Sequence, residues 1–220
     1  MIKINKLTSN WLAHQINNQS LARHIQILKG RVIDLGCGTS PYRIDILQVA
    51  DEYIGVDWSS SYHDLSGADV VANISGQFPF GNECSDSIVS FQVMEHLPEP
   101  GYFLSECYRI LRSGGAVFIT VPFNWHVHEA PYDYFRYTRH GLEYLLKQSG
   151  FIDVSIEENT GFWQMWVLKF NYYTARIARG PLKLFLIPLW FVGQILSPIF
   201  DKIDPRPQET CSYTVVAKKP

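Results

Sequence analysis

A chain of 220 residues has room for one α/β domain with elaborations and a full core. Its formal net charge of -2 and pI near 6.4 supply no bulk basic field, so no nucleic-acid partner is expected. Apolar residues make up 46% and aromatics 14%, the latter crowding the second half. The scattered Cys37, Cys84, Cys107 and Cys211 form no C-x-x-C pair and read as reduced thiols of a cytoplasmic protein. Met1-Ile2-Lys3-Ile4-Asn5-Lys6 lacks the long apolar core of a signal peptide.

Residues 9–29 space Trp11, Leu12, Ile16, Leu21, Ile25 and Leu28 in a largely helical pattern, with Ser9 able to cap the start and Asn17-Asn18 able to break it. Val32, Ile33 and Leu35 then read as a buried strand. Gly36 and Gly38 follow it and let the backbone turn tightly and approach a ligand. Pro41 suits the first turn of a short helix ending near Gln48. Glu52-Tyr53-Ile54-Gly55-Val56-Asp57 is a second strand ending in an acid whose two oxygens can accept both ribose hydroxyls. A dinucleotide fold wants a third glycine where Pro41 stands, so a nucleoside without phosphates fits better than NAD. Trp58 offers a flat face to an adenine ring, or packs in the core. Residues 59–67 read as a loop or short helix.

A third strand is expected over 68–74, with Asn73 near its end, and a fourth leads through Cys84 to Leu97. Phe91 and Gln92 fall at its carboxyl end, where ligands bind in such sheets. His96 either lines that cleft or fixes the local turn. A helix over 98–112 is closed by Gly114-Gly115, and a fifth strand covers 116–122. The alternation of strands and helices predicts a parallel, right-handed doubly wound sheet. Residues 123–138 carry two His, two acids, an Arg and three Tyr and should overhang the cleft. Asp133 and Arg136 read equally as a structural clamp. His126-x-His128 is a weak metal signature, and no metal site is expected. Thr138 can cap a helix over 139–148. Strands six and seven are read at 150–157 and 211–218.

Three stretches together resemble the class I S-adenosylmethionine (SAM) methyltransferases. Asp34 with Gly36-Cys37-Gly38 resembles their first motif. The run from Phe78 to Leu97 resembles the L-P-F…F-D-x-V…E-H segment of the small-molecule members, with Ser87 as a departure, and Asn73 stands where their third motif often ends in Asp. His128, Pro131, Asp133, Tyr134, Arg136, Tyr137 and Thr138 match an H-x-x-P-x-D-Y-x-R-Y-T run of a bacterial subset found near glycan genes. The resemblance covers 31–158 and the final strand. It implies a Rossmann-like α/β fold with seven strands in the order 3-2-1-4-5-7-6, the last antiparallel, and helices on both faces. One domain, 1–220, would carry a helical cap at 1–30 and an apolar helical insertion at 159–210.

The same resemblance implies S-adenosyl-L-methionine as cofactor and S-adenosylhomocysteine as product, held by Asp34, Gly36, Cys37, Gly38, Asp57, Trp58, Asn73, Ile74, Phe91 and Gln92. An oxygen acceptor would need proton removal. His126, His128 and Asp133 are the base candidates, with Tyr134 and Tyr137 as orienters. The acceptor is expected to be small or lipid-linked, with a glycan among the options. A methyltransferase-like domain that binds nucleoside or lipid without turnover is the alternative, and an NAD-dependent oxidoreductase ranks behind both. Residues 181–200 hold one Lys, one Gln and one Ser among otherwise apolar, Gly or Pro residues. They are expected as helical segments broken near Pro188 beside the acceptor cleft, meeting the inner membrane face, a second copy or the core.

Overall fold

The computed structural model describes residues 1–59 and 64–220; part of the loop expected over 59–67 lies outside them. The apolar run after Arg31 forms the central strand β1 (Arg31–Leu35). It pairs in parallel with β2 (Glu52–Asp57) on one side and β4 (Ser85–Phe91) on the other. β3 (Val70–Val71) extends the sheet beyond β2, and β5 (Leu111–Pro122) beyond β4. β7 (Ser212–Lys218) lies antiparallel between β5 and β6 (Ile152–Glu158). The order is β3-β2-β1-β4-β5-β7-β6, as the resemblance implies. Its direction reverses between β1 and β4, the place where such sheets open a crevice.

Strand alternation divides the core between two faces. Ile33, Leu35, Ile88, Val117 and Ile119 face α3 (Pro100–Ile110) and α4 (Arg139–Gln148). Val32, Val89 and Phe118 face the end of α1 (Trp11–His24) and the short α2 (Arg43–Ile46). Thr138 caps α4, its hydroxyl accepting the Gly141 N–H at 3.1 Å.

Local boundaries depart from the sequence reading for identifiable reasons. β3 is cut to two residues because the Asp69 carboxylate takes the Gly55 N–H at 2.7 Å, in place of a ladder carbonyl. α3 stops at Ile110 and β5 starts at once, with the glycine pair inside the strand. The pairing jumps from Ser85↔Leu111 to Ser87↔Ala116, so residues 112–115 bulge outward, and Gly114 supplies the turn at φ +73. α1 runs unbroken through Asn17-Asn18. The Asn18 amide points out of the helix and clasps Ile2, accepting its N–H at 3.1 Å and donating to its carbonyl at 2.9 Å. Ser9 caps nothing with its side chain; Asn10 is the N-cap residue.

Two antiparallel helices, α5 (Phe162–Ile177) and α6 (Gly180–Ile203), join β6 to β7. α6 is continuous through Pro188, where a break is expected. Its inner face is anchored on both sides of that residue: Leu186 and Trp190 are buried, and Trp190 Nε1 donates to Thr174 Oγ1 at 2.8 Å. Asp201, near the end of α6, caps the start of α5. Its carboxylate accepts the N–H groups of Gly161 at 3.0 Å, Trp163 at 2.8 Å and Gln164 at 3.2 Å, three donors that a helix start otherwise leaves bare. Asp201→Ala should therefore lower unfolding stability by about 1–2 kcal/mol, read by urea denaturation. An unchanged midpoint would show that the cap adds nothing to the hairpin.

Candidate functional site

A cleft of about 510 Å³ opens at the carboxyl ends of β1, β2 and β4. Its floor is the turn after β1. Gly36 sits at φ +80, and a Cβ there would lie 2.3 Å from Val93 Cγ2, so no other residue fits. Gly38, at φ +52, faces open space. The Asp57 carboxylate locks this turn to the tip of β2. Oδ2 accepts the Gly38 N–H and Oδ1 the Trp58 N–H, both at 2.6 Å. Each oxygen keeps a further lone pair for a ligand.

Beneath the turn, Asp34 is buried with Oδ2 accepting the Tyr53 hydroxyl and Oδ1 unpartnered among the described residues. Burial pushes its carboxyl up to about 7; the Tyr53 bond opposes this and the nearby Asp57 charge adds to it. Gln92 adopts φ +55, its N–H donating to Thr120 O at 2.9 Å while its buried Nε2 has no partner among the described residues. Unpartnered buried polar atoms in a cavity wall are the groups a polar ligand satisfies. Trp58 stands edge-on to Tyr132 with centroids 5.7 Å apart. Phe91 packs against Tyr42 at 4.5 Å and Phe118 at 5.3 Å. Burial pushes the Cys37 thiol up to about 12, which removes it as a nucleophile.

All ten residues expected at the cofactor, Asn73 and Ile74 included, line this cleft. So do Ile2, His14 and Asn17, which come from the N-terminal segment and α1. The sequence gives 1–30 as a helical cap and marks Asn17 only as a possible break, without naming any of the three as a cleft residue.

The loop over 123–138 gathers on one guanidinium. Arg136 donates to both Asp133 oxygens at 2.6 and 2.7 Å and to the carbonyls of Trp125 at 3.2 Å, His126 at 2.7 Å and Phe135 at 2.7 Å. Asp133 also accepts the His128 N–H at 2.8 Å. Burial opposes its ionisation, but the Arg136 bonds and the His128 N–H outweigh it and hold the carboxyl at about 2. Asp133 is thus the clamp partner of Arg136, without access to the cleft. Tyr137 is core, its hydroxyl donating to Met94 O at 2.8 Å. Tyr134 is exposed outside the cleft. His126 stacks on Tyr172 with centroids 3.9 Å apart. Of the five side chains named for the chemistry, His128 lines the cleft and the other four do not.

His128 Nδ1 lies 3.3 Å from Asp133 Oδ2 and 3.2 Å from Arg136 Nη2. Arg136 can only donate, so Nδ1 accepts in that bond and Nε2 carries the proton; Nε2 becomes an acceptor only in the other tautomer, with Nδ1–H turned to Asp133. Burial lowers the pKa of this imidazole, with His96 and Arg136 adding and Asp133 opposing. A second hollow of about 220 Å³, lined by Ala13, Ile16, Trp125 and Leu168 among others, shares Asn17, Gln92 and His128 with the cleft.

His96, left open by the sequence, also lines the cleft. Its Nδ1–H donates to Tyr132 O at 2.5 Å, and Nε2 stands 3.7 Å from Glu95 Oε1 and 3.9 Å from Glu129 Oε2. Glu95 is fully buried with neither carboxyl oxygen hydrogen-bonded among the described residues. Burial pushes its pKa up to about 8. Ligand atoms of Glu95, His96 and His128 lie within 4.8 Å of one another, a donor set able to hold a divalent cation. The set replaces the His126 of the sequence pair with two residues from the end of β4.

A seven-stranded sheet of this order, with a glycine turn and an acid at its crevice, is the fold of class I SAM-dependent methyltransferases. Residues 33–119 match the family model described as a methyltransferase domain. The chain is 33% identical over 120 residues to a probable S-adenosylmethionine-dependent methyltransferase of Mycolicibacterium smegmatis, covering 50% of this chain and 44% of that protein. It is 28% identical over 98 residues to a ubiquinone biosynthesis O-methyltransferase of Rhizobium rhizogenes, covering 40% of each. The chain thus spans less than half the length of these curated relatives. The fold is shared with the phosphoethanolamine N-methyltransferase 2 of Haemonchus contortus, solved with phosphomonomethylethanolamine and S-adenosylhomocysteine. That match has a TM-score of 0.61 at 20% identity and covers 92% of this chain and 53% of that one.

Glu95 gives a pH test. Its folded pKa of about 8 lies above the ~4.3 of an exposed glutamate, so the folded state binds the extra proton between those values. The stability this carries is present below about 4.3 and is lost as pH rises through about 8. Glu95→Gln should therefore gain thermal stability over the wild type as pH rises from 5 to 9. A gap independent of pH would place an ionised carboxylate at this position.

Proposed function

We propose that this chain transfers a methyl group from SAM to a hydroxyl on a small, single-ring acceptor. The observation that carries the reading is the meeting of the large cleft and the small hollow at Asn17, Gln92 and His128. The cleft volume falls within the range of small-molecule sites. The hollow is somewhat larger than the ~150 Å³ cavity that accepts benzene, and Trp125 and Leu168 give it apolar walls. The name of the ubiquinone-pathway relative supports an oxygen acceptor.

When bound, SAM supplies an electrophilic methyl group on a sulfonium. Asp57 would hold the ribose hydroxyls, Gly36 and Gly38 would admit the methionine portion against the backbone, and Trp58 and Ile74 would flank the adenine. Asp34 Oδ1 and Gln92 Nε2 offer the buried acceptor and donor that a zwitterionic amino acid tail satisfies. α1 covers the cleft and keeps water from the junction. In the tautomer with Nδ1–H turned to Asp133, His128 Nε2 would take the acceptor's hydroxyl proton, and Asp133 would orient the ring and stabilise the imidazolium that results. His96 stands within the same cluster, its ring centroid 4.9 Å from that of His128.

Asp57→Ala should weaken SAM binding by about 1.5–3 kcal/mol, the range of a hydrogen bond to a charged group, in calorimetry on the folded protein. Unchanged affinity would remove Asp57 from the cofactor site. Turnover is tested by intact-mass detection of methylated products from hydroxylated phenols and sugars. SAM binding with no product from any of them would favour a nucleoside-binding protein without catalysis.

His128→Asn should leave SAM affinity intact and lower kcat by about 10²–10⁴. Because burial lowers the His128 pKa and the base works deprotonated, the acid limb of kcat/KM should lie below pH ~6.5. A limb above that value, or one retained in the Asn variant, would assign the base elsewhere.

A further inference from the structure

We propose that the exposed face of the α5–α6 hairpin docks on an anionic lipid bilayer, with α6 lying along its surface. α6 reverses the usual arrangement of a surface helix, which turns its apolar stripe inward. Polar residues of α6 lie on its inner side. Gln194 is buried there, accepting the Leu12 N–H at 3.1 Å and donating to the carbonyls of Lys6 and Thr8. Ser197 is buried on the same side, and Asp201 caps α5 from it. The outward side carries Phe185, Leu189, Val192, Ile195, Ile199 and Phe200, all exposed. Between Leu184 and Phe200 the sequence has no charged residue. The helix has a mean hydropathy of 1.6 over its most apolar window, yet only 22% of that window is buried. A soluble monomer rarely leaves so continuous an apolar surface to water.

Charge identifies what covers it. From Asn159 to Phe200 the chain has no Asp or Glu, while Lys169, Arg176, Arg179 and Lys183 all fall there. The last three flank the turn between the helices and form no ion pair among the described residues. A second copy pairing with α6 head to tail would bring this turn to the far end of its partner's helix. The acids there are already engaged, Asp201 on the start of α5 and Asp204 on Arg206 at 2.9 Å. Lipid phosphates meet the same cations without such competition. The helix lies flat because it is tied to the body along its length, through Trp190 to Thr174, Gln194 to the Leu12 N–H and Asp201 to the start of α5.

Leu168 of α5 is also a wall of the small hollow, so the docked hairpin borders the place where an acceptor enters. That link rests on the methyl-transfer reading; the docking does not.

The test is flotation of the full chain with phosphatidylcholine vesicles, with and without phosphatidylglycerol. SAM calorimetry and thermal melts check that each variant is folded. The wild type should float with the anionic vesicles, and Leu189→Glu plus Ile199→Glu should abolish this. Reversing Arg176, Arg179 and Lys183 to Glu should weaken binding by about fivefold or more per residue. The proposal is overturned if the wild type floats on neither composition or equally on both. It is also overturned if ultracentrifugation shows a dimer that the double Glu variant dissolves. In each case SAM binding and turnover remain separately measurable, so loss of the docking leaves the proposed reaction standing.

Discussion

One guanidinium holds the loop beside the cleft in shape. The loop between β5 and α4 is extended and makes few backbone bonds of its own, yet Arg136 satisfies three of its carbonyls and both oxygens of Asp133. Five donors in a rigid fork suit that task, and no lysine could replace them. The Asp133 carboxylate is buried, so losing its partner would leave a charge without compensation. His128 inherits its position from this pair, since Asp133 takes its backbone N–H and faces its ring. The junction between cleft and hollow therefore depends on two residues that never touch the cleft.

Groups at the ends of parallel strands were legible in the sequence because their placement is local. A glycine turn directly after β1 and an acid at the tip of β2 must arrive together at the crevice once the strands pair. The alternation gave a parallel, doubly wound sheet, and the strand order came from the resemblance. What arrives by tertiary packing left no local mark. His14 and Asn17 reach the cleft only because α1 is laid across it, and Ile2 only because Asn18 holds it there.

The loop shows a finer limit. His126 and His128 are two residues apart, a spacing that would put both on one side of a regular strand, but the segment is irregular and sends them apart. One stacks on Tyr172 and the other enters the cleft. Spacing alone treats them alike. Tyr137 had the right type for an orienting hydroxyl, but the buried carbonyl of Met94 claims it. The helix over Pro188 survives for a related reason: anchors on either side of a proline can outweigh the bond it removes.

The clasp between Asn18 and Ile2 bears on how a bound nucleoside is exchanged. The floor of the cleft is built from strand ends, whose displacement would disturb the whole sheet. Its cover at this point is the segment around Ile2, held by two hydrogen bonds to the Asn18 amide, each worth about 1 kcal/mol, and by the ion pair of Met1 with Asp45. Unfastening them costs little beside the stability of the domain. Under the proposed methyl transfer, the spent nucleoside would leave and a fresh one enter past this segment, while the strand ends that build the floor stay in register.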